Sequence, residues 1–399
     1  QFPMLLPGFG ILLVALALLY AALFAVWASG LRRVLARVLA PLPKDPPFVS
    51  VIVPARDEAT EIEACLESLL GSDYPPTAYE VIVVDDFSHD DTAARVEAMQ
   101  RTVGPDRLRL IRLSDRLDHE YEGHKGVALA WGVHDAIGRL ILTTDADCRV
   151  SPGWISGMAR TFDETRVGFV AGAVRIEPGR SLWGALQALE LAGLVGIGAG
   201  ALERGRPNLC NSAAIGYPRR VFEALRVVQR SPEMPERVTP WDDELLLMKI
   251  ADHPKLVARF CPDPGAIVTT HAEATLRAFW AQRRRWAATG ARYPGVLRGL
   301  SVRLIWVFYA ALLAGLVVLA FRPALWPFVA AVFAIKVLAE ATLLMPILRH
   351  LGQSRLLAWL LPGQLLQIPY VVIVGVSGAM GQPSWKGRRF EPELTPAIS

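Results

Sequence analysis

The sequence predicts an α/β domain with a doubly wound, mostly parallel sheet, flanked by transmembrane α-helices. Two observations support this fold class. Long apolar segments occupy both ends of the 399-residue chain, and 52% of all residues are hydrophobic, above the usual share for a soluble domain. The middle of the chain instead alternates β-branched runs with helical patterns, which is typical of a parallel sheet covered by helices.

The N-terminal segment from Met4 to Ala28 is almost uncharged. It is long enough to cross a hydrocarbon core of about 30 Å as a helix. Basic residues follow it directly, and positive charge marks the cytoplasmic side of a span. These residues are Arg32, Arg33, Arg37 and Lys44. We therefore assign residues 1–30 to a transmembrane helix and expect residues 45–300 to lie in the cytoplasm.

A second membrane region is predicted over residues 303–380, followed by a tail over 381–399. Leu304–Phe321 and Leu325–Ile347 are clear spans, whereas Leu356–Met380 is interrupted by Pro362-Gly363 and by Pro369. Four full crossings from an outside N-terminus would place the basic tail outside, against the positive-inside tendency. A re-entrant or interfacial third segment would return the tail to the cytoplasm, and we favour that interpretation.

Lys336 and Glu340 lie inside the second of these C-terminal spans. Their spacing of four residues puts them on one helix face. Charges within the membrane are costly and are usually functional. A mutually neutralised pair that faces neighbouring helices accounts for them equally well, and both interpretations stay open.

The middle of the chain has the pattern of strands alternating with helices. The predicted strands are Phe48–Val53, Tyr79–Val84, Arg109–Leu113 and Leu140–Thr144, and a helix is predicted over Ala59–Leu70. Ligands of such sheets bind at the carboxyl ends of the strands. Phosphate-binding glycine motifs are missing from the sequence, which excludes dinucleotide oxidoreductases and P-loop enzymes. The net charge is only +4, and the basic residues form no stripe along the sequence, so we expect no nucleic-acid partner.

Residues 181–201 form another apolar stretch, interrupted by Gln187 and Glu190. A single crossing here would separate the acidic residues before it from those after it across the bilayer. We therefore predict an amphipathic helix at the membrane surface.

Acidic side chains follow two of the predicted strands. Asp85 and Asp86 end one strand, and Asp145 and Asp147 follow another. Two carboxylates separated by one residue are suited to a hard divalent cation such as Mg²⁺ or Mn²⁺. An exposed turn that caps a helix would have the same sequence, so this motif alone has low specificity.

A second acidic group, Asp242 and Asp243, follows Trp241 and precedes an apolar run. Acidic residues are common in the first turn of a helix, where the macrodipole favours them. The functional alternative is a general base, because a neighbouring acid keeps the proton affinity of a carboxylate in a useful range.

A basic segment, Gln282 to Trp286, contains three consecutive arginines beside a predicted span. These arginines could simply contact lipid headgroups. Arg285 is equally suited to bidentate phosphate contact, and Trp286 offers a flat apolar face.

Together these motifs resemble the family 2 glycosyltransferases of the GT-A nucleotide-sugar fold, in their integral-membrane branch. The resemblance covers about Phe48 to Trp286 and rests on motifs in the family's order. These are Val51–Glu58, Val83–Asp90, His124–Ala130, Asp145–Asp147, Asn208–Arg220, Asp242–Asp243 and Gln282–Trp286. Phe87 stands where the family commonly has Gly, and Ser212-Ala213 replaces a usual Gly-Ala.

The resemblance implies roles for individual residues. Donor contacts are expected from Pro54, Ala55, Arg56, Glu58, Asp85, Asp86, Lys125, Asp145, Gln282 and Arg285. The acceptor side would include Asn211, Trp241 and Trp286, and the metal ligands would be Asp145 and Asp147. Asp243 would be the catalytic base, paired with Asp242.

The implied reaction is inverting, metal-dependent transfer from a nucleotide-sugar, a UDP-sugar in this family, to a membrane lipid. Processive polysaccharide synthases share the last motif, but they thread their polymer through more membrane helices than this chain has. A non-catalytic nucleotide-sugar-binding scaffold is the other alternative. The expected location is the inner membrane of a bacterium, with the catalytic domain in the cytoplasm.

Overall fold

The structure is a computed structural model that describes residues 5–117, 125–225, 229–230, 235–237, 242–290, 296–380, 384–385 and 388–389. The chain divides into two compact units. The first unit comprises Gln1–Leu23, Glu273–Glu340 and Leu360–Ser399. The second unit comprises Phe24–Ala272 and Ala341–Trp359.

The helices follow the apolar and amphipathic segments of the sequence. They are α1 (Leu5–Leu35), α2 (Ile62–Leu70), α3 (Thr92–Val103), α4 (Lys125–Asp135), α5 (Trp154–Arg160), α6 (Leu182–Glu203), α7 (Arg219–Ala224), α8 (Asp242–Asp252), α9 (Leu276–Gly290), α10 (Val296–Phe321), α11 (Trp326–His350) and α12 (Leu360–Met380). Short 3₁₀ segments lie at Leu113–Asp115, Pro323–Leu325 and Ser354–Trp359.

The strands are β1 (Val49–Ala55), β2 (Tyr79–Asp85), β3 (Leu108–Arg112), β4 (Leu140–Thr143), β5 (Arg149–Val150), β6 (Val167–Ala171), β7 (Ala173–Glu177), β8 (Ile215–Pro218), β9 (Gln229–Arg230), β10 (Pro235–Arg237), β11 (Val257–Phe260), β12 (Ile267–His271), β13 (Ser384–Trp385) and β14 (Arg388–Arg389). The four strands expected from the sequence are β1 to β4, with ends shifted by no more than two residues.

A seven-stranded sheet forms the centre of the second unit, in the order β11-β6-β8-β4-β1-β2-β3. β1 runs parallel to β2 and β4, and β2 runs parallel to β3. The sheet is therefore mostly parallel, as the sequence predicts. β8 is the exception, since it lies antiparallel between β4 and β6.

Strand register brings the functional segments to one edge of this sheet. Ala55 at the end of β1 pairs with Asp85 at the end of β2. On the other side of β1, Ile52 pairs with Thr143 at the end of β4. The loops that follow β1, β2 and β4 therefore leave the sheet from the same edge, where ligands of parallel sheets bind.

Helix α6 differs from the expected amphipathic helix. Its apolar residues surround the whole helix, and Gln187 is also buried. The helix packs against β7 and β11, so burial within the second unit accounts for its apolar composition. A helix that is hydrophobic on all sides is typical of a buried position. Its placement at a membrane surface stays a prediction.

The C-terminal half of α1 crosses α6 at very close range. A Cβ atom on Gly30 would lie 2.3 Å from the Gly200 carbonyl oxygen, and one on Gly200 would lie 2.2 Å from that of Trp27. Arg37 adds an ion pair with Glu203 at 2.9 Å. Backbones can approach this closely only where both helices lack a side chain.

Five helices are long and apolar enough to span a membrane in the described part of the chain. Besides α6, they include Gly8–Leu35 in α1, Gly299–Phe321 in α10, Pro323–His350 with α11, and Ser354–Ala379 with α12. α12 is one helix of 21 residues that continues through Pro369, so its prolines do not divide it. Whether α12 crosses the bilayer or returns stays a prediction.

Lys336 and Glu340 form a buried ion pair in the first unit, with Lys336 Nζ 2.8 Å from Glu340 Oε1. Four further side chains complete their hydrogen bonds. Tyr20 and Tyr309 donate to Glu340 Oε1 at 2.6 and 3.0 Å. Gln364 donates to Glu340 Oε2 at 2.6 Å. Lys336 also donates to the side-chain oxygens of Gln364 and Gln367. The polar groups therefore join α1, α10, α11 and α12, as in the neutralised-pair interpretation.

Candidate functional site

The loops after β1 and β2 are joined by Arg56. This side chain is only 6% exposed, and its Nη1 donates to the carbonyl oxygen of Asp86 at 2.9 Å. The backbone N–H of Asp86 in turn donates to the carbonyl of Ala55 at 2.8 Å. Three of the predicted donor-binding residues therefore lie together, and Pro54 lies one position earlier in β1.

Two residues in these loops have left-handed backbone conformations. Asp57 has φ of 50° and Phe87 has φ of 55°. The loops also bond to each other, since the Asp57 amide donates to Ser88 Oγ at 3.0 Å and the His89 amide donates to Asp57 Oδ1 at 2.7 Å. A bulky residue at positive φ is a genuine outlier. The conformation explains why the family commonly has Gly where this chain has Phe87.

Asp85 is buried at the end of β2, with 4% of its surface exposed. Burial raises its pKa, while Ser88 and then Arg112 oppose that rise. Glu58 lies in the loop after β1, and its amide donates to Thr92 Oγ1 at 2.8 Å. The predicted nucleotide-binding acids are therefore held by hydrogen bonds at one edge of the sheet.

Lys125, the first residue of α4, contacts two loops of the site. Its Nζ donates to Asp145 Oδ1 at 2.5 Å and to Ser212 Oγ at 2.9 Å. Burial is the largest single effect and lowers the pKa of Lys125, but the carboxylates of Asp145 and Asp243 together outweigh it, so that the pKa is raised. Lys125 is therefore a stable ammonium among acidic side chains.

Asp243 lies in the first turn of α8, directly after Asp242. The pKa of Asp243 is raised to about 6. Burial raises it most, the Lys125 ammonium opposes the rise, and the Asp145 charge adds to it. A carboxyl group with a pKa near neutrality has the proton affinity that a general base needs. Trp241, which the sequence places on the acceptor side, lies outside the described residues.

The loop after β4 offers metal ligands. Among the described residues, Asp145, Asp147 and Cys148 each have a donor atom within 4.8 Å of the others. Withdrawal from water and the neighbouring Asp145 charge raise the pKa of Asp147. The two carboxylates fit a hard divalent cation, whereas the thiol of Cys148 is buried and its pKa is raised.

Asn211 shapes the turn that precedes β8. Its side-chain oxygen accepts from the amide of Ala213 at 3.0 Å, and its carbonyl oxygen accepts from the amide of Ala214 at 3.0 Å. Such a local turn is typical of asparagine. Ser212 is the next residue, so this turn presents its hydroxyl to Lys125.

The arginine-rich motif lies on α9, in the first unit. Gln282, Arg285 and Trp286 are half-buried, while Arg283 is only 2% exposed. The Arg283 guanidinium lies 4.3 Å from the ring centroid of Phe279 and 4.5 Å from that of Trp286. Its Nη1 donates to the side-chain oxygen of Gln282.

Ser212, which contacts Lys125, and Arg283, which contacts Phe279 and Trp286, were not assigned from the sequence. The sequence does mark Ser212, because it stands where the family commonly has Gly. It also marks Arg283, since Phe279, Arg283 and Trp286 have the i, i+4, i+7 spacing of one helix face.

Comparison with known proteins agrees with this architecture. Residues 50–222 match the family model described as glycosyl transferase family 2. A mannosyltransferase from Pyrobaculum calidifontis, solved with GDP-Man and Mn²⁺, has a similar structure with a TM-score of 0.58. That similarity covers 94% of this chain and 99% of the other at 21% identity, so it supports the fold.

Curated relatives are similar over shorter segments. Glycosyltransferase AglE of Haloferax volcanii is 33% identical over 32% of this chain and 40% of its own length. The beta-monoglucosyldiacylglycerol synthase of Trichormus variabilis is 30% identical over 31% of this chain and 25% of its own length. The chain thus spans well under half the length of these two relatives. Residues 50–222 are thus similar to family 2 glycosyltransferases, and the fold is GT-A-like.

Proposed function

We propose that this protein transfers a single sugar from a nucleotide-sugar, a UDP-sugar, to a hydroxyl group of a membrane lipid, with inversion at the anomeric carbon. The observation that carries the proposal is the state of Asp243. Its pKa is raised to about 6, and the charges of the Lys125 ammonium and of Asp145 after β4 both act on it. This arrangement supplies a base and a charged donor-binding group within one loop cluster.

Asp243 would act as the general base. Its carboxylate would take the proton from the acceptor hydroxyl as that oxygen attacks the anomeric carbon. The bond to the diphosphate then breaks, and the nucleoside diphosphate leaves with the electron pair. Correct placement of such a base contributes about 10²–10⁴-fold to a rate.

The donor side would use the loops after β1 and β2. Pro54, Ala55, Arg56, Glu58, Asp85 and Asp86 would hold the nucleoside, as in the family that the sequence resembles. Lys125 would approach the diphosphate, and a cation at the start of a helix is well suited to a phosphate. Gln282 and Arg285 are proposed to add diphosphate contacts, on the family resemblance alone.

Asp145 and Asp147 are the residues that would hold Mg²⁺ or Mn²⁺, since their carboxylates fit such an ion. A bound divalent cation would neutralise negative charge on the departing diphosphate. The structurally similar mannosyltransferase from Pyrobaculum calidifontis was solved with Mn²⁺, which is consistent with this assignment.

The lipid acceptor is proposed from two observations. Five helices in the described part of the chain are apolar and long enough to span a membrane, and one curated relative is named a beta-monoglucosyldiacylglycerol synthase. Trp286, Asn211 and Trp241 are proposed for the acceptor side, on the family resemblance. The enzyme is proposed to lie in the cytoplasmic membrane, with the domain of residues 45–300 in the cytoplasm.

Nucleotide release tests this function directly. The purified protein is incubated with UDP-sugars and GDP-sugars, with Mn²⁺ or Mg²⁺, with and without a total lipid extract of its host. We expect release from a UDP-sugar that rises with lipid, and a lipid product that carries one sugar in the mass spectrum. A growing water-soluble polymer would identify a processive synthase instead. Release from none of the donors would favour a nucleotide-sugar-binding scaffold.

A further inference from the structure

Lys125 contacts a carboxylate that the proposed metal would also use. Its Nζ lies 2.5 Å from Asp145 Oδ1, and Asp145 and Asp147 are the two carboxylates of the candidate metal cluster. A compact ammonium ion and a divalent cation both seek the same carboxylate oxygens, and two cations at one carboxylate repel each other. Lys125 and the metal therefore compete for Asp145.

The second contact of Lys125 is the weaker one. Ser212 Oγ accepts from Nζ at 2.9 Å, and a neutral hydroxyl holds an ammonium less strongly than a carboxylate does. The lysine stem is flexible, with four carbons between the backbone and the charge. Nζ can therefore leave Asp145 while the hydroxyl of Ser212 keeps it within the site.

The position of Lys125 in the fold indicates where the ammonium moves. Lys125 is the first residue of α4, where the helix dipole favours an anion and disfavours a cation. The Asp145 carboxylate offsets that disfavoured charge. Once Asp145 coordinates a metal, the ammonium and the α4 N-terminus together form a positive site that fits a phosphate.

We propose that Lys125 exchanges partners: it neutralises Asp145 until a divalent cation binds there, and it then pairs with the diphosphate of the nucleotide. Metal and nucleotide binding are thereby coupled through one side chain. The inference rests on the proposed function for the identity of the nucleotide. The competition between Lys125 and the metal needs neither turnover nor an acceptor.

Titration with Mn²⁺, followed by the electron paramagnetic resonance signal of the free ion, tests the exchange in the full-length protein. Without nucleotide, K125M should bind Mn²⁺ about 10-fold more tightly than the wild type, within the usual range of coupling factors. K125R keeps a cation and should bind Mn²⁺ as the wild type does. S212A keeps the Lys125–Asp145 pair and should also match the wild type.

Addition of UDP gives the second half of the test. UDP should tighten Mn²⁺ binding by a larger factor in the wild type than in K125M, because the variant has lost the group that links the two ligands. Equal or weaker Mn²⁺ binding by K125M without nucleotide would overturn the proposal. The same would follow if UDP had the same effect on both proteins.

The wild type offers an independent readout if K125M does not fold. Reductive methylation of lysines is followed by peptide mass spectrometry, with the exposed Lys44 and Lys255 as internal references. Mn²⁺ alone should accelerate methylation of Lys125 relative to these two, and UDP added with Mn²⁺ should reverse the effect. Unchanged reactivity of Lys125 with Mn²⁺ would contradict the exchange. Nucleotide release in the preceding experiment would be unaffected by that outcome, so the two proposals fail separately.

Discussion

The Arg283 guanidinium lies 4.5 Å from the centroid of the Trp286 ring, on the same face of α9. Phe279 covers the guanidinium from one turn earlier, and its own ring lies 5.7 Å from that of Tyr370 on α12. A line of contacting side chains therefore runs from α12 to Trp286 within the first unit, with the Phe279 and Tyr370 rings tilted by 36°. An arginine contacts an aromatic face both as a cation and as a planar group, and Arg283 makes such contacts with both Phe279 and Trp286.

Replacement of Arg283 should loosen Trp286. R283M removes two cation–π contacts, each worth about 1–2 kcal/mol when shielded from water, so we expect a lower melting temperature and a higher KM for the acceptor. R283K keeps the charge but loses the planar stack, and it should raise the acceptor KM with little change in the donor KM. The matched control is R284M, since Arg284 is the neighbouring arginine and is half-buried. Equal effects of R283M and R284M on the acceptor KM would contradict this role.

The Lys336–Glu340 pair predicts a dependence between two substitutions. K336M leaves the Glu340 carboxylate buried without its cation, which should cost about 3–5 kcal/mol in stability. The double variant K336M/E340Q removes both charges, and it should recover most of that loss because Tyr20 and Tyr309 can still donate to the amide oxygen. Thermal unfolding in detergent measures both proteins. A double variant as unstable as K336M would show that Lys336 and Glu340 do not act as a mutually neutralised structural pair.

Two glycines of α6 should respond oppositely to alanine. A Cβ on Gly200 would lie 2.2 Å from the Trp27 carbonyl oxygen, and the helices must separate to accept it. We expect G200A to lower stability by about 1–3 kcal/mol, as overpacking usually does.

The control is G193A, because a Cβ there meets Leu344 Cδ2 at an ordinary 3.6 Å. Alanine should raise stability at that position through its better helix propensity. Both proteins are compared by thermal unfolding in the same detergent. Equal melting temperatures for the two variants would rule out the close crossing of α1 and α6.

The raised pKa of Asp243 predicts an acid limit to activity. The base works only when ionised, so kcat/KM should fall as the pH decreases through about 6. The pH dependence of stability has the opposite direction to that of activity. The native state binds this proton more tightly than the unfolded chain does, so that contribution to stability is present at low pH and is lost as the pH rises through about 6.

Lys125 provides a check on this assignment. Because its ammonium lowers the pKa of Asp243, K125M should move the acid limit to higher pH. The residual rate of the variant is measured across pH 5 to 8. An acid limit near the ordinary aspartate pKa in the wild type would contradict the assignment of Asp243 as the base.

The strands and the long apolar helices were predictable because their signals are local. A buried parallel strand such as β1 is a continuous β-branched run, and a spanning helix is a long apolar segment. The antiparallel strand β8 was not predicted, since its four residues include Gly216 and Pro218 and show no alternation. The composition of α6 does not separate burial within the protein from contact with a membrane surface, because both favour apolar residues.

Only the site residues that belong to sequence motifs could be predicted, and the contacts between distant segments could not. The acids after β1, β2 and β4 meet at one sheet edge because parallel register requires it. The Lys125–Ser212 contact joins residues 87 positions apart, and nothing local in the sequence encodes it. Arg283 was overlooked because the motif draws attention to Arg285, whereas the contacts formed along α9 depend on which side of the helix each arginine faces.

The most direct test of the central claim compares D243N with D252N, an identical change at the exposed far end of the same helix α8. Transfer to lipid and binding of the donor are measured for both variants in the presence of Mn²⁺. We predict that D243N binds the donor as the wild type does and loses about 10³-fold in transfer, while D252N retains transfer. Near-normal transfer by D243N would contradict the account of this site.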